Sequence, residues 1–231
     1  MEIWSDKNVR LPWYSCFAYD SPRKQSPIHP GASPTSTRYS QASVTSRKYN
    51  RIYQTKGIGR SKQFRKLPQV LLMGLDSAGK STLLFKQQRG VVMETSPTLG
   101  FNVVTVELNK KTSLTVWDVG GQRSMRPNWK YYLEGCKLLV FVVDSSDRSR
   151  MDEAQKALKK ILSDEHLKGV PLLVLANKKD LPNSMTIREV STLLDLDSYT
   201  DRVWEIQACS ALQGLGLQQA FLSIAKLLKK S

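Results

Sequence analysis

The chain predicts an α/β fold built on a doubly wound, mainly parallel sheet, and three observations carry that prediction. Short, wholly apolar runs such as Val70-Leu71-Leu72-Met73 and Leu172-Leu173-Val174-Leu175-Ala176 recur along it, as strands covered on both faces require. Segments with apolar residues at helical spacing separate these runs, and strands alternating with helices close into a parallel sheet. A glycine-rich turn, Gly74-Leu75-Asp76-Ser77-Ala78-Gly79, stands where the first run gives way to the first helical pattern.

In chain order, a strand is expected over 70–73 and a helix over 80–88. Two β-rich runs follow at 101–108 and 113–118. The polar Asn109-Lys110-Lys111-Thr112 joins them, so they form a hairpin with one antiparallel strand. Residues 138–143 form another buried strand. Met151, Ala154, Leu158, Ile161 and Leu162 mark one face of a helix. Pro171 opens a strand over 172–176, a helix spans 186–194, and a strand spans 203–207. Leu217, Ala220, Phe221, Ile224 and Leu228 place a final helix at the end.

Residues 1–66 read differently. They carry 13 of the 35 Lys/Arg but 3 of the 20 Asp/Glu, with ten Ser and five Pro and no sustained period. Such a segment buries too little apolar surface to offset the entropy of ordering it. The expected organisation is a basic, largely disordered extension over 1–66 and one α/β domain over 67–231. A basic tail favours anionic surfaces such as phospholipid, nucleic acid or an acidic protein, or stays solvated without a partner. Cys16, Cys136 and Cys209 are odd in number and lack metal-ligand spacing, which points to a reduced intracellular protein. No apolar run approaches 18 residues, so no membrane-spanning helix is expected.

The chemistry lies in four loops that follow strands. Gly74-Leu75-Asp76-Ser77-Ala78-Gly79-Lys80-Ser81 fits G-x-x-x-x-G-K-S between a strand and a helix. The backbone N–H groups of Gly74, Asp76, Ser77, Ala78 and Gly79 can turn toward phosphate oxygens, and the helix N-terminus adds partial positive charge. Lys80 brings a point charge to the β- and γ-phosphates, and Ser81 offers Mg²⁺ a hydroxyl, with Thr82 beside it. Trp117-Asp118-Val119-Gly120-Gly121-Gln122 ends the third strand. Asp118 is placed to hold the Mg²⁺ shell. Gly120 permits close backbone approach to the γ-phosphate, Gly121 belongs to the nucleotide set, and Gln122 can orient an attacking water because its amide both accepts and donates.

Asn177-Lys178-Lys179-Asp180 follows the strand ending at Ala176. A carboxylate such as Asp180 accepts from both the ring N–H and the exocyclic amine of guanine. Adenine presents the opposite pattern and would leave it unpaired. Thr98, in Pro97-Thr98-Leu99-Gly100, is a further Mg²⁺ hydroxyl on a mobile loop. Ser210 and Ala211, in Cys209-Ser210-Ala211-Leu212, bring backbone N–H groups to the base.

Residues 74–82, 97–102, 117–122, 177–180 and 209–212 together resemble the ADP-ribosylation factor-like branch of the Ras-type small GTPases, and the likeness covers about residues 67–231. The resemblance implies a six-stranded sheet, two switch regions, and an interswitch hairpin that slides in register on GTP loading. It makes Thr98 the first-switch threonine and Gln122 the catalytic residue. It further implies a monomeric GTP/GDP switch with Mg²⁺ that hydrolyses GTP slowly without a GTPase-activating protein, because neither switch holds an obvious arginine finger. Exchange factors, activating proteins and effectors would be its partners, nucleic acid would not, and it would work in the cytoplasm, peripherally on intracellular membranes. The alternative is a GTP-loaded scaffold with negligible turnover.

Three features depart from the family pattern. The chain has 66 residues ahead of Leu67, where relatives have about fifteen. Glu2 stands where N-myristoylation needs Gly. The segment 60–66 is strongly basic, with Phe64 its only large apolar residue, and would make a poor amphipathic membrane anchor; the C-terminal Leu-Leu-Lys-Lys-Ser, besides, has no prenylation box. Gly57-Ile58-Gly59-Arg60-Ser61 does fit the acylation pattern, but Lys56 precedes it, so only a shorter product beginning at Gly57 would carry a myristoyl chain beside the basic residues 60–66.

Overall fold

A computed structural model describes residues 67–92, 94–109 and 112–229. The N-terminal extension, its aromatic cluster, its basic membrane contact and the Gly57 pattern lie outside the described residues, as do Lys110 and Lys111 of the hairpin loop.

Six strands form one sheet in the order β2-β3-β1-β4-β5-β6. They are β1 (Gln69–Met73), β2 (Phe101–Asn109), β3 (Thr112–Val119), β4 (Cys136–Asp144), β5 (Leu172–Asn177) and β6 (Trp204–Ala208). Only β2 and β3 pair antiparallel; β1 pairs parallel with β3 and β4, β4 with β5, and β5 with β6. The hairpin is tighter than its sequence suggests. Asn109 and Thr112, expected in the connecting loop, pair with each other across a register shift, because ladder pairing continues to the turn itself.

Four helices cover the sheet: α1 (Lys80–Arg89), α2 (Met151–Leu162), α3 (Ile187–Leu193) and α4 (Leu217–Leu227). The strand period of two divides the central residues between two apolar layers. Leu71, Met73, Leu139, Phe141 and Val143 face Leu158, Ile161 and Val190 of α2 and α3. Val70, Leu72, Leu138, Val140 and Val142 face Leu83, Leu84, Phe221 and Ile224 of α1 and α4. β4 and β5 therefore read as continuous apolar runs, being buried on both faces.

Helix starts decide where the site can form. Thr186 caps α3 in a capping box with Glu189, which satisfies two of the N–H groups at that helix start. The first residue before α1 is Gly79 in a left-handed conformation, with no side-chain cap and no acid in the first turn. That helix end keeps its N–H groups and partial charge for something else. No helix among the described residues is long and apolar enough to cross a membrane.

Candidate nucleotide site

The loops that follow β1, β3, β4, β5 and β6 gather at one edge of the sheet, the edge at which the parallel strands end and where ligands sit in open α/β folds. The first is held by sterics. A Cβ on Gly74 (φ 142°) would lie 2.2 Å from the Val142 carbonyl oxygen, and one on Gly79 (φ 87°) would lie 2.3 Å from Asn177 Nδ2. Asn177 Nδ2 donates to the Ala78 carbonyl at 2.8 Å, so the glycine-rich loop and the loop after β5 are joined directly. Ser77 adopts φ 61° and is exposed. Lys80 is buried, and its Nζ donates to the carbonyls of Gly74 (3.1 Å) and Leu75 (2.7 Å). Burial lowers its pKa to about 8, partly offset by the Asp118 and Asp76 charges.

Three oxygens converge beside Lys80. Ser81 Oγ donates to Asp118 Oδ2 at 2.6 Å and lies 2.9 Å from Thr98 Oγ1. Asn102 Nδ2 also donates to Asp118 Oδ2, at 3.2 Å. Asp118 is fully buried, and its other oxygen, Oδ1, has no hydrogen-bond partner. Burial pushes this carboxyl above the usual range despite the bonds from Ser81 and Asn102 and the Lys80 charge. A buried carboxylate oxygen left unpaired is costly. One carboxylate and two hydroxyls are the hard donors that Mg²⁺ takes alongside substrate phosphates, so the residues present fit that ion. Thr82, the residue after Ser81, faces Thr95 Oγ1 with its Oγ1 at 3.2 Å.

The loop after β3 gives its two glycines different partners. Gly120, expected to permit close backbone approach to the γ-phosphate, donates its N–H to the Gly100 carbonyl (2.9 Å), and a Cβ there would lie 2.6 Å from the Thr98 carbonyl oxygen. Gly120 therefore joins the two switch segments. The residue set against the glycine-rich loop is Gly121, whose carbonyl accepts from Asp76 N (3.2 Å) and Arg126 Nε (2.8 Å). Gln122 follows and is half-buried. Its carbonyl accepts from the amides of Met125 and Arg126.

Arg126 was not singled out from the sequence. Its guanidinium, 15% exposed, donates from Nη1 to Glu153 of α2 (2.8 Å) and from Nη2 to Asp76 (3.1 Å), besides the Nε bond to Gly121. Asp76 also receives Arg150 Nη1 at 3.2 Å on its carboxylate and Arg150 Nη2 at 2.6 Å on its carbonyl. The Asp76 carboxylate is thus held by two arginines, and Arg126 is committed to structure. Burial alone would raise the Asp76 carboxyl, but its hydrogen bonds and the arginine charges hold it low.

The loops after β5 and β6 interlock. Asn177 Oδ1 accepts from Ala211 N (2.9 Å) and Cys209 Sγ (3.6 Å). Ser210 Oγ donates to Asp180 Oδ1 at 2.5 Å and accepts from Gln213 N. Lys178 takes φ 65° and pairs with Asp144 Oδ2 at 2.5 Å. Asp180, Ser210, Ala211 and Asn177 thus form one connected set, as their order in the sequence suggests. Cys136 and Cys209 are free, buried thiols, and burial pushes both up to about 12, which makes them inert packing residues.

The chain is similar to known proteins of one family. The ADP-ribosylation factor family model matches residues 55–228. ADP-ribosylation factor J of Dictyostelium discoideum is 49% identical over 157 residues, 68% of this chain and 83% of that protein. ADP-ribosylation factor K of the same organism is 48% identical with the same coverage. Among solved structures, the Arl6 (BBS3) small GTPase of Trypanosoma brucei with the bound nucleotide analogue GppNp aligns with a TM-score of 0.65 and 31% identity, over 71% of this chain and 98% of that one.

Proposed function

The chain belongs to the ADP-ribosylation factor family and is a GTPase that switches between GTP- and GDP-bound forms; on that premise we propose how its residues divide the work. Gly74, Asp76, Ser77, Ala78, Gly79, Lys80, Ser81, Thr82 and Gly121 surround the phosphates. Asn177, Lys178, Asp180, Ser210 and Ala211 hold the base, with Asp180 reading guanine. Ser81, Thr98 and Asp118 would hold Mg²⁺, which neutralises the phosphate charge on which hydrolysis depends. Gln122 orients the attacking water. The unpaired Asp118 Oδ1 beside two converging hydroxyls carries this reading.

The switch would pass its state to effectors through the β2–β3 hairpin. The rings of Phe101, Trp117 and Tyr132 cluster there with centroids 5.1 to 6.5 Å apart. Leu99, two residues before β2 begins, is 81% exposed. Apolar surface beside the threonine that would sense the γ-phosphate suits a partner that reads nucleotide state. We further propose that the process regulated is membrane traffic or a related membrane process, with the protein cytoplasmic and peripherally attached.

Titration with fluorescent GTP, GDP and ATP, followed by phosphate release with and without an activating protein, tests the reading. Guanine-selective, Mg²⁺-dependent binding with slow, stimulated release of phosphate is expected. Tight GTP binding with no stimulated release would favour the scaffold alternative, and equal affinity for ATP would overturn the base-site assignment.

A further inference from the structure

The turn after β4 has no assigned part in the phosphate or metal chemistry, yet it is tied to the base loop by several bonds. β4 and β5 run parallel with Asp144 beside Asn177. Ser145 is fully buried, and both its N–H (2.9 Å) and its Oγ (2.6 Å) donate to the Asn177 carbonyl. Its own carbonyl accepts from Met185 N at 2.7 Å. One residue earlier, Asp144 divides its two oxygens. Oδ1 accepts from both N (2.9 Å) and Oγ (2.6 Å) of Ser146, and Oδ2 meets Lys178 Nζ at 2.5 Å.

Lys178 needs such a partner. It is one of four non-glycine residues among those described with positive φ, a conformation held only where the surroundings over-determine it. A lysine stem otherwise samples many rotamers, and fixing it is entropically costly. The Asp144 carboxylate is 14% exposed and the Lys178 side chain 31%, so the pair is sheltered enough to hold one geometry. Burial alone would raise the Asp144 carboxyl, but the bonds from Lys178 and Ser146 outweigh it and keep the group ionised.

We propose that Asp144, itself locked by Ser146, is a positioning residue for the base site: it anchors the Lys178 ammonium so that the four-carbon stem forms a fixed apolar wall for the purine ring. The inference rests on the base-site assignment above and adds a division of labour to it. Asp180 reads the exocyclic edge of guanine. The Asp144–Lys178 pair acts on the ring itself and is blind to that edge.

The test is a double-mutant cycle on the full chain loaded with Mg²⁺ and nucleotide. Release of GDP and of inosine diphosphate, which lacks the 2-amino group, is timed for wild type, Asp144→Asn, Lys178→Ala and the double variant. Losing a hydrogen bond between charged groups should speed release about tenfold. Each single variant is expected to do so for both nucleotides, leaving their ratio unchanged, and the double variant should release no faster than Lys178→Ala alone. Full additivity, a wild-type rate in either single variant, or a changed GDP-to-inosine ratio in Asp144→Asn each overturns the proposal. Urea unfolding of the four proteins excludes a merely structural effect, which would lower the midpoint of the double variant below that of Lys178→Ala. Asp180→Asn measured alongside separates the two claims. If it leaves the GDP-to-inosine ratio intact, the base-site assignment fails. If it collapses the ratio while the cycle is additive, only the role of Asp144 fails.

Discussion

Replacing Gly121 by alanine should impair hydrolysis far more than it speeds GDP release. The added Cβ would lie 2.3 Å from the Gly74 oxygen, 2.4 Å from the Leu75 carbonyl carbon and 2.5 Å from the Asp76 nitrogen, where contact normally begins near about 3.5 Å. All three are backbone atoms, so no side-chain rotation relieves the overlap, and one segment must retreat by about 1 Å. The glycine-rich loop cannot, because Gly74 lies against Val142 and its carbonyl is bonded to Lys80 Nζ. Gly121 must therefore move, stretching the bonds from Asp76 N (3.2 Å) and Arg126 Nε (2.8 Å). One neutral and one charge-assisted hydrogen bond sum to about 3 kcal/mol, roughly a 100-fold shift against the conformation that seats Gln122 beside the loop. Single-turnover GTP hydrolysis, with and without an activating protein, should fall by that factor. GDP release, governed by the base and phosphate loops, should change less than about threefold. Hydrolysis within a factor of three of wild type would refute the steric argument.

Other substitutions address the remaining parts. Asp180→Asn should cost at least about 100-fold in preference for GTP over ATP, since an amide cannot accept both guanine donors; competitive titration reads this directly. Gln122→Leu should keep GTP affinity but lose most of the roughly 10³–10⁵-fold stimulation by an activating protein, and an unaltered stimulated rate would make Gln122 a bystander. Ser81→Asn should favour GDP or the empty form by disturbing Asp118, seen as loss of Mg²⁺ dependence in nucleotide release. Glu153 titrates at about 2, below its ordinary 4.5, because Arg123 and Arg126 hydrogen-bond its carboxylate. A depressed carboxyl stabilises the fold above its unfolded pKa and ceases to do so as pH falls through the folded one. The stability gap between wild type and Glu153→Gln, about 1–2 kcal/mol at neutral pH, should shrink between pH 4.5 and 2 in urea titrations, and a constant gap would remove Glu153 from the clasp.

The parts of the site legible in the sequence were those carried by local spacing. Gly74 to Ser81, Asp118 to Gln122 and Asn177 to Asp180 are contiguous, and each follows an apolar run that marks a strand. Thr186 lay inside the expected helix but is its cap, a difference of one residue that capping chemistry explains. The ties between segments were not legible. Arg126 reaches Asp76 across 50 positions, and Arg150 reaches it across 74. In the sequence each is one basic residue among many. Asp144 reads as the polar end of a buried strand, and only the parallel pairing of β4 with β5 reveals that it faces the base loop. The different contacts of Gly120 and Gly121 were not legible for a related reason. Two adjacent glycines look alike until their carbonyls and N–H groups have partners.

The sheet order has a consequence for how the molecule works without coming apart. Among the described residues β2 lies at one edge, bonded to β3 alone, and Val103, Thr105 and Glu107 are exposed along it. β4 and β5 sit inside, with neighbours on both sides and no exposed core residue between Leu138 and Val143 or between Leu172 and Ala176. Amides of the inner strands should exchange with solvent only through global unfolding, while those of β2 exchange through a local opening of much lower free energy. The segment that carries Thr98 and Gly100 leads straight into that edge strand. It can be released and recaptured many times within the lifetime of one folded domain, leaving the sheet that holds the base and phosphate loops undisturbed.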